Sequence, residues 1–142
     1  MIHFLDTSAL AKRYVREPGS ATLWAALRRA RIVVARITYA ELLATLARAC
    51  REGVISEAQR IRAFERVDED FNVLSVIEIR ATLLRRVGEL VVRHPLRAYD
   101  AVQLAAALTV KDQGGSVQFW SADERLVAAA RLEGLRVAVP AA

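Results

Sequence analysis

Cysteine is nearly absent from this sequence: Cys50 is the only one among 142 residues. No internal disulfide can form, and nothing in the cysteine usage points to export. Histidine is almost as scarce. His3 and His94 are the only two, and neither has a partner at zinc-ligand spacing, so a zinc centre is not expected. Lysine is rare as well: of 21 basic residues only Lys12 and Lys111 are lysines, the rest being arginine. Long hydrophobic runs are missing. The longest, residues 101–110, is interrupted by Gln103 and Thr109 and is about half the roughly 20 residues a membrane span needs. Residues 1–6 carry neither a basic region nor a long apolar core, so no signal peptide is expected and the expected location is the cytoplasm. Repeats, low-complexity tracts and linkers are absent too, and one domain is expected over residues 1–142.

What the sequence does contain is enough apolar surface for a core. Hydrophobic residues make up 54% of it and the mean hydropathy is +0.22, which excludes a disordered chain. A chain of this length buries roughly 68–70% of its unfolded surface. The net charge is +5. That balance favours a polyanion or an acidic peptide as partner through salt-sensitive steering, and arginine's planar fork fits phosphate oxygens two at a time. A genome that encodes arginine in place of lysine would give the same composition, so basicity permits a nucleic-acid role without requiring one.

Short β-branched runs alternate with longer helical stretches, the pattern of an α/β domain with a largely parallel sheet. Strands are expected at residues 2–5, 32–35, 72–76, 117–120 and 136–139, and helices at 8–16, 20–30, 39–51, 57–70, 78–93, 98–111 and 124–132. The first, second and fourth are short, largely apolar runs, as expected for strands covered on both faces. Pro18-Gly19 and Gly114-Gly115 stand where helices should stop. In the helix at 39–51 the apolar positions Tyr39, Leu42, Leu43, Leu46 and Cys50 share one face, so Glu41 is expected to point away from the core. The helix at 98–111 is apolar almost all round and therefore buried, with Asp100 in its opening turn.

Four acids punctuate this pattern. Asp6 ends the first strand, Glu41 lies one turn into the helix after the second, Asp100 opens the buried helix, and Asp123 follows the fourth strand. In an open parallel sheet the carboxyl ends of the strands share one edge, where ligands bind, so the topology would gather four distant carboxylates on one rim. Each acid alone reads as a helix cap or a dipole partner. Thr38-x-x-Glu41 and Ser121-x-x-Glu124 both have the form of capping boxes. Taken together they imply more. Two like charges about 4 Å apart at an effective dielectric near 20 repel by about 4 kcal/mol, against a domain stability of about 5–15 kcal/mol. Such a set must take up protons or bind a cation, and oxygen-only donors favour Mg²⁺ or Mn²⁺. A hard-metal site in a basic protein points to phosphodiester chemistry.

These residues resemble a known signature. Asp6-Thr7-Ser8 at a strand end, Glu41 in a leucine-rich helix, Asp100-Ala101 opening an alanine-rich helix and Ser121-x-Asp123 after a strand look like the motifs of PIN-domain ribonucleases. Their order and spacing over essentially the whole chain are similar to the VapC branch, the toxins of type II toxin–antitoxin pairs. The resemblance implies a three-layer α/β/α fold on a five-stranded parallel sheet and Mg²⁺-dependent endoribonuclease activity, with Mn²⁺ able to substitute. It assigns Asp6, Glu41, Asp100 and Asp123 to the acidic active site, with Asp6 and Asp100 as the primary Mg²⁺ ligands. It further implies an RNA substrate, a homodimer, and a VapB-like antitoxin that places a tail near the site. One departure concerns the last motif, where many relatives have Thr-x-Asp followed by an aromatic; here stand Ser121 and Leu126. The hydroxyl is retained, but the outer wall of the site is expected to differ.

Other residues carry weaker expectations. Tyr99 could stack on a base but reads more simply as a tyrosine packed at a helix entrance. Lys12, Arg13 and Arg16 could grip phosphates or form a solvated helix face. His94 reads as a loop residue, Trp24 and Trp120 as core aromatics, and Cys50 as a buried thiol. Competing architectures are a receiver-like Mg²⁺-binding signalling domain, a haloacid-dehalogenase phosphatase and a catalytically silent PIN fold. The first needs an acidic neighbour for Asp6 and a lysine near the last strand; the second needs Asp-x-Asp where the chain has Asp6-Thr7-Ser8. A silent fold would not require all four acids.

Overall fold

A computed structural model describes residues 1–140. The apolar runs form strands β1 (Ile2–Leu5), β2 (Arg31–Ala35), β3 (Ser75–Ile77), β4 (Val117–Trp120) and β5 (Arg136–Ala138), in one sheet of order β3-β2-β1-β4-β5. All four neighbouring pairs are parallel. Helices α1 (Thr7–Leu10), α2 (Ser20–Ala26), α3 (Ile37–Arg51), α4 (Glu57–Phe71), α5 (Ala81–Arg93), α6 (Ala98–Asp112) and α7 (Glu124–Leu132) connect them.

Period-two alternation along the strands divides the core into two layers. Phe4, Val33, Ala35 and Phe119 face one side, where they meet α5, α6 and α7 through Leu83, Leu90, Leu104, Ala105 and Leu126. Leu5, Val34 and Trp120 face the other, against α1 to α4 through Leu10, Leu23, Leu42, Leu46 and Val67. The Phe4 and Phe119 rings stack at 5.7 Å across the β1–β4 pair. Nine residues of α6 are buried, as its all-round apolar sequence requires. The strand order explains the layering. From β1 the chain steps outward to β2 and β3, then returns past β1 to β4 and β5, and right-handed crossovers in opposite directions put their helices on opposite faces. The reversal leaves a crevice between the carboxyl ends of β1 and β4, the position at which open α/β sheets bind ligands.

Several boundaries differ from the sequence expectation. The helix expected at 8–16 is a four-residue α1 followed by a 3-10 turn over Ala11–Arg13. The strand expected at 72–76 starts at Ser75, because α4 continues to a buried Phe71 and its last turn is closed by the Leu74 N–H on the Asp70 carbonyl. The helix expected from Glu78 begins at Ala81; Glu78 instead pairs with Arg36 at the start of α3. Gly114, at φ 90°, follows the last turn of α6 in the left-handed conformation that ends helices. His94 stands in the loop after α5, as expected, but is buried and sits 2.6 Å from Glu133 Oε2. Cys50 is half-buried rather than sequestered.

Candidate active site

The β1–β4 crevice is built around Asp6. Asp6 leaves β1 in extended conformation and caps α1, its Oδ1 accepting the Ala9 N–H at 2.9 Å. Two serines complete the shell. Ser8 Oγ donates to Oδ1 at 2.7 Å and accepts the Ala122 N–H at 2.9 Å. Ser121 Oγ donates to Oδ2 at 2.6 Å and accepts the Asp123 N–H at 3.0 Å. Each serine therefore relays a backbone N–H of the β4–α7 turn to the β1 carboxylate, and the two turns are stitched together. A carboxylate oxygen has two lone pairs, so Oδ1 is filled and Oδ2 keeps one acceptor position.

The other acids arrive from three elements. Glu41 projects from the second turn of α3, and its Oε1 accepts from Thr7 Oγ1 at 2.8 Å and Gln103 Nε2 at 3.0 Å. Asp100 lies in the first turn of α6. Asp123 caps α7, accepting from the N–H groups of Arg125 at 2.9 Å and Leu126 at 3.1 Å. A cavity of about 330 Å³ is lined by all four, with Gln103 and Tyr99 beside them. A larger cavity of about 630 Å³ lies against α4. There Asp70 holds Arg13 Nε at 2.7 Å and the Tyr14 hydroxyl at 2.6 Å, and none of the four acids lines it.

Charge is costly in the smaller cavity. Burial pushes the Asp6 carboxyl up to about 6, and the nearby Asp123 adds to this against the serine and Ala9 hydrogen bonds. Glu41 is raised by burial and by the charge of Asp100, and Asp100 in turn by burial and by Asp123. Three carboxyls that hold their protons too tightly, each facing another acid, form a site that a cation would relieve. Among the described residues no three acid, imidazole or thiol side chains stand close enough to enclose an ion by themselves. The donors fit a hydrated hard cation all the same, since Mg²⁺ keeps several waters and uses one or two direct carboxylates.

The raised Asp6 has a consequence for stability. Its folded value lies above the unfolded one, so its stabilising contribution is complete below about 3.9, the ordinary aspartate value, and is lost as pH rises through about 6. At about 1.4 kcal/mol per pH unit the span is on the order of 3 kcal/mol. His3, lowered by burial, acts in the opposite sense, so the informative quantity is a difference. The melting-temperature gap between metal-free Asp6→Asn and wild type should favour the variant at pH 7.5 and narrow towards pH 5. A gap independent of pH would mean that Asp6 does not titrate in this window.

Other expectations are corrected by the geometry. Neither proposed capping box forms: Thr38 lies inside α3 with its hydroxyl bonded to Gln103, and Ser121 serves Asp6 while Asp123 caps α7. The real capping box is Ser56 with Gln59 at the start of α4. Glu41 does not turn away from the interior but is half-buried and bonded inward. Lys12 is buried, with Nζ on Glu17 at 3.0 Å and the Pro18 carbonyl at 2.9 Å, and Arg13 is held by Asp70, so neither is free for phosphate. Leu126 is 1% exposed, belongs to the core and does not line the cavity. Tyr99 is 37% exposed at the cavity, where Arg97 Nη1 donates to its hydroxyl at 2.6 Å. Ser8 and Gln103 were the members least visible in the sequence; an amide in an apolar helix, one turn after Asp100, was the available signal.

The profile of the PIN domain matches residues 3–132. The chain belongs to the PIN-domain family. That membership removes the receiver and phosphatase alternatives. The chain is 38% identical over 139 residues to ribonuclease VapC45 of Mycobacterium tuberculosis strain CDC 1551 / Oshkosh, spanning 95% of this chain and 93% of that protein. The same figures hold for ribonuclease VapC49 of strain ATCC 25618 / H37Rv. Among solved structures, VapBC2 from Rickettsia felis, bound to a DNA fragment from its promoter, superposes with a TM-score of 0.69 at 16% identity over 98% of both chains. The five-stranded parallel sheet with helices on both faces is thus the PIN fold, and divalent-metal dependence is the general property of this family's ribonucleases. No helix among the described residues of this PIN-domain protein is long and apolar enough to cross a membrane.

Proposed function

We propose that this protein is a Mg²⁺-dependent endoribonuclease, the toxin of a VapBC-type pair, with Asp6, Glu41, Asp100 and Asp123 as its acidic site. The observation that carries this reading is the single cavity lined by all four carboxylates at the β1–β4 crevice. The VapC45 and VapC49 relatives, named as ribonucleases, supply the reaction class. Asp6, through its remaining Oδ2 position, and Asp100 would hold the metal, with Mn²⁺ able to replace Mg²⁺. Divalent metal when bound supplies charge neutralisation and a polarised water for phosphodiester hydrolysis. The chain's own groups do the rest. Ser8 and Ser121 hold Asp6 in one orientation, Glu41 and Asp123 flank the space in which phosphate would sit, and Tyr99 offers an exposed ring to an unpaired base.

Residues 1–142 would act as one PIN domain in the cytoplasm, as a homodimer neutralised by a VapB-like antitoxin; a toxin–antitoxin complex from Klebsiella pneumoniae with the same fold supports the antitoxin as partner. Incubating the purified protein with total RNA and Mg²⁺, and mapping the cut ends, should yield a small set of sites in unpaired or loop RNA, the context in which bases are accessible. Intact RNA after prolonged incubation with Mg²⁺ and with Mn²⁺ would replace the enzyme by a silent PIN fold.

A further inference from the structure

Gln103 interrupts the apolar sequence of α6 one turn beyond Asp100 and is 2% exposed. Its Nε2 has three acceptors in reach: Thr38 Oγ1 at 2.7 Å, Glu41 Oε1 at 3.0 Å and Thr7 Oγ1 at 3.1 Å. An amide nitrogen has only two hydrogens, which the two shorter contacts engage. Thr7 gives its one hydroxyl hydrogen to Glu41 Oε1 at 2.8 Å. Glu41 Oε1 therefore collects one donor from α1 and one from α6, while Oε2 has no partner among the described residues.

The other end of the amide is the decisive observation. Gln103 Oε1 is buried without any hydrogen-bond partner. Buried amides ordinarily orient to satisfy both ends. Turning this one over would set its oxygen against the Glu41 carboxylate and withdraw the N–H, so the orphaned oxygen is the cost of keeping a donor on Glu41. A residue present only to fill the core would be better served by an apolar side chain, since an unmade hydrogen bond is unfavourable there.

We infer that Gln103 is a positioning residue for Glu41: it clamps Oε1, fixes the rotamer, and leaves Oε2 as the oxygen offered to the cavity. The inference rests on the proposed nuclease site and deepens it. Because Asp100 and Gln103 share one face of α6, a single helix supplies one acid and the brace of another. The brace is a neutral donor, so it orients the carboxylate without adding a charge.

The test compares Gln103→Leu, close in volume but without a donor, with Gln103→His, which keeps an N–H. Gln103→Met, unbranched and adaptable, serves as a second donor-free variant where leucine does not pack. Two quantities are read: the Mg²⁺ affinity, from the melting shift of metal-free protein on titration, and kcat and KM for a cleaved RNA. Donor-free variants should melt close to wild type without metal, because the orphaned oxygen leaves with the amide. Their Mg²⁺ affinity or kcat should fall about 10- to 100-fold, the usual effect of removing an outer-shell partner at a metal site. KM for RNA should not change, and Gln103→His should recover most of the loss. In a Glu41→Gln background, removing Gln103 should cost no further Mg²⁺ affinity. Donor-free variants with wild-type Mg²⁺ affinity and kcat overturn the inference, as does a loss that follows melting temperature and is not rescued by histidine. If wild type fails to cleave RNA while the donor-free variants still bind Mg²⁺ more weakly, the nuclease reading fails and the brace stands.

Discussion

Asp6→Asn should yield a folded protein that has lost RNA cleavage by at least about a thousandfold, equivalent to about 4 kcal/mol of transition-state stabilisation. The fold should survive because asparagine caps helices about as well as aspartate and its oxygen can still accept the Ala9 N–H that now binds Oδ1. What disappears is the negative charge at the bottom of the crevice and the free acceptor position on Oδ2. Glu41→Gln should behave alike, since a glutamine oxygen can keep the donors from Thr7 and Gln103. Antitoxin binding should largely remain, because such interfaces depend on apolar and arginine anchors spread over a wide surface. Co-expression provides the measurement: each variant should be harmless to cells without antitoxin and still co-purify with it. A folded Asp6→Asn that inhibits growth as strongly as wild type would show that toxicity does not come from the carboxylate site.

Chelation should be equally severe. Excess EDTA should stop cleavage, and Mg²⁺ or Mn²⁺ should restore it, because neither a thiol nor an imidazole lines the cavity to take over. The same ion should stabilise the protein by mass action, about 2.7 kcal/mol at a hundredfold excess over its dissociation constant. Asp100 allows the two effects to be separated. It is raised by burial and by the facing Asp123, so Asp100→Asn should raise the melting temperature of metal-free protein and weaken its response to Mg²⁺. Undiminished cleavage in EDTA, with contaminating nucleases excluded, would remove the metal from the mechanism. A metal-free Asp100→Asn that melts lower than wild type would mean that Asp100 serves α6 as a cap.

Much of the architecture could be read from local patterns. Apolar runs at residues 2–5 and 117–120 coincide with β1 and β4, and the all-round apolar character of residues 98–111 marks the buried α6. Those signals are local, because burial on two faces is written directly into consecutive side chains. The strand at 72–76 was misplaced because Asn72 and Val73 belong to the close of α4, and short β-branched stretches at a helix end carry no signal of where the helix stops.

By itself the sequence determined the α/β class, the positions of most elements and the four acids at the junctions where a parallel sheet exposes its functional edge. It also determined the chemistry those acids could support, since their oxygen-only character does not depend on packing. Only the tertiary structure decided what each polar group does there. Ser121 and Asp6 are separated by 115 residues and Gln103 and Glu41 by 62, yet each pair is hydrogen-bonded. Lys12, read as a phosphate contact or part of a solvated face, is turned to Glu17, and Thr38, read as a cap, holds Gln103. A side chain's local preference for a cap or a solvated face amounts to about 1 kcal/mol. A buried hydrogen bond left unmade costs as much or more, so the pairing imposed by the strand order prevails.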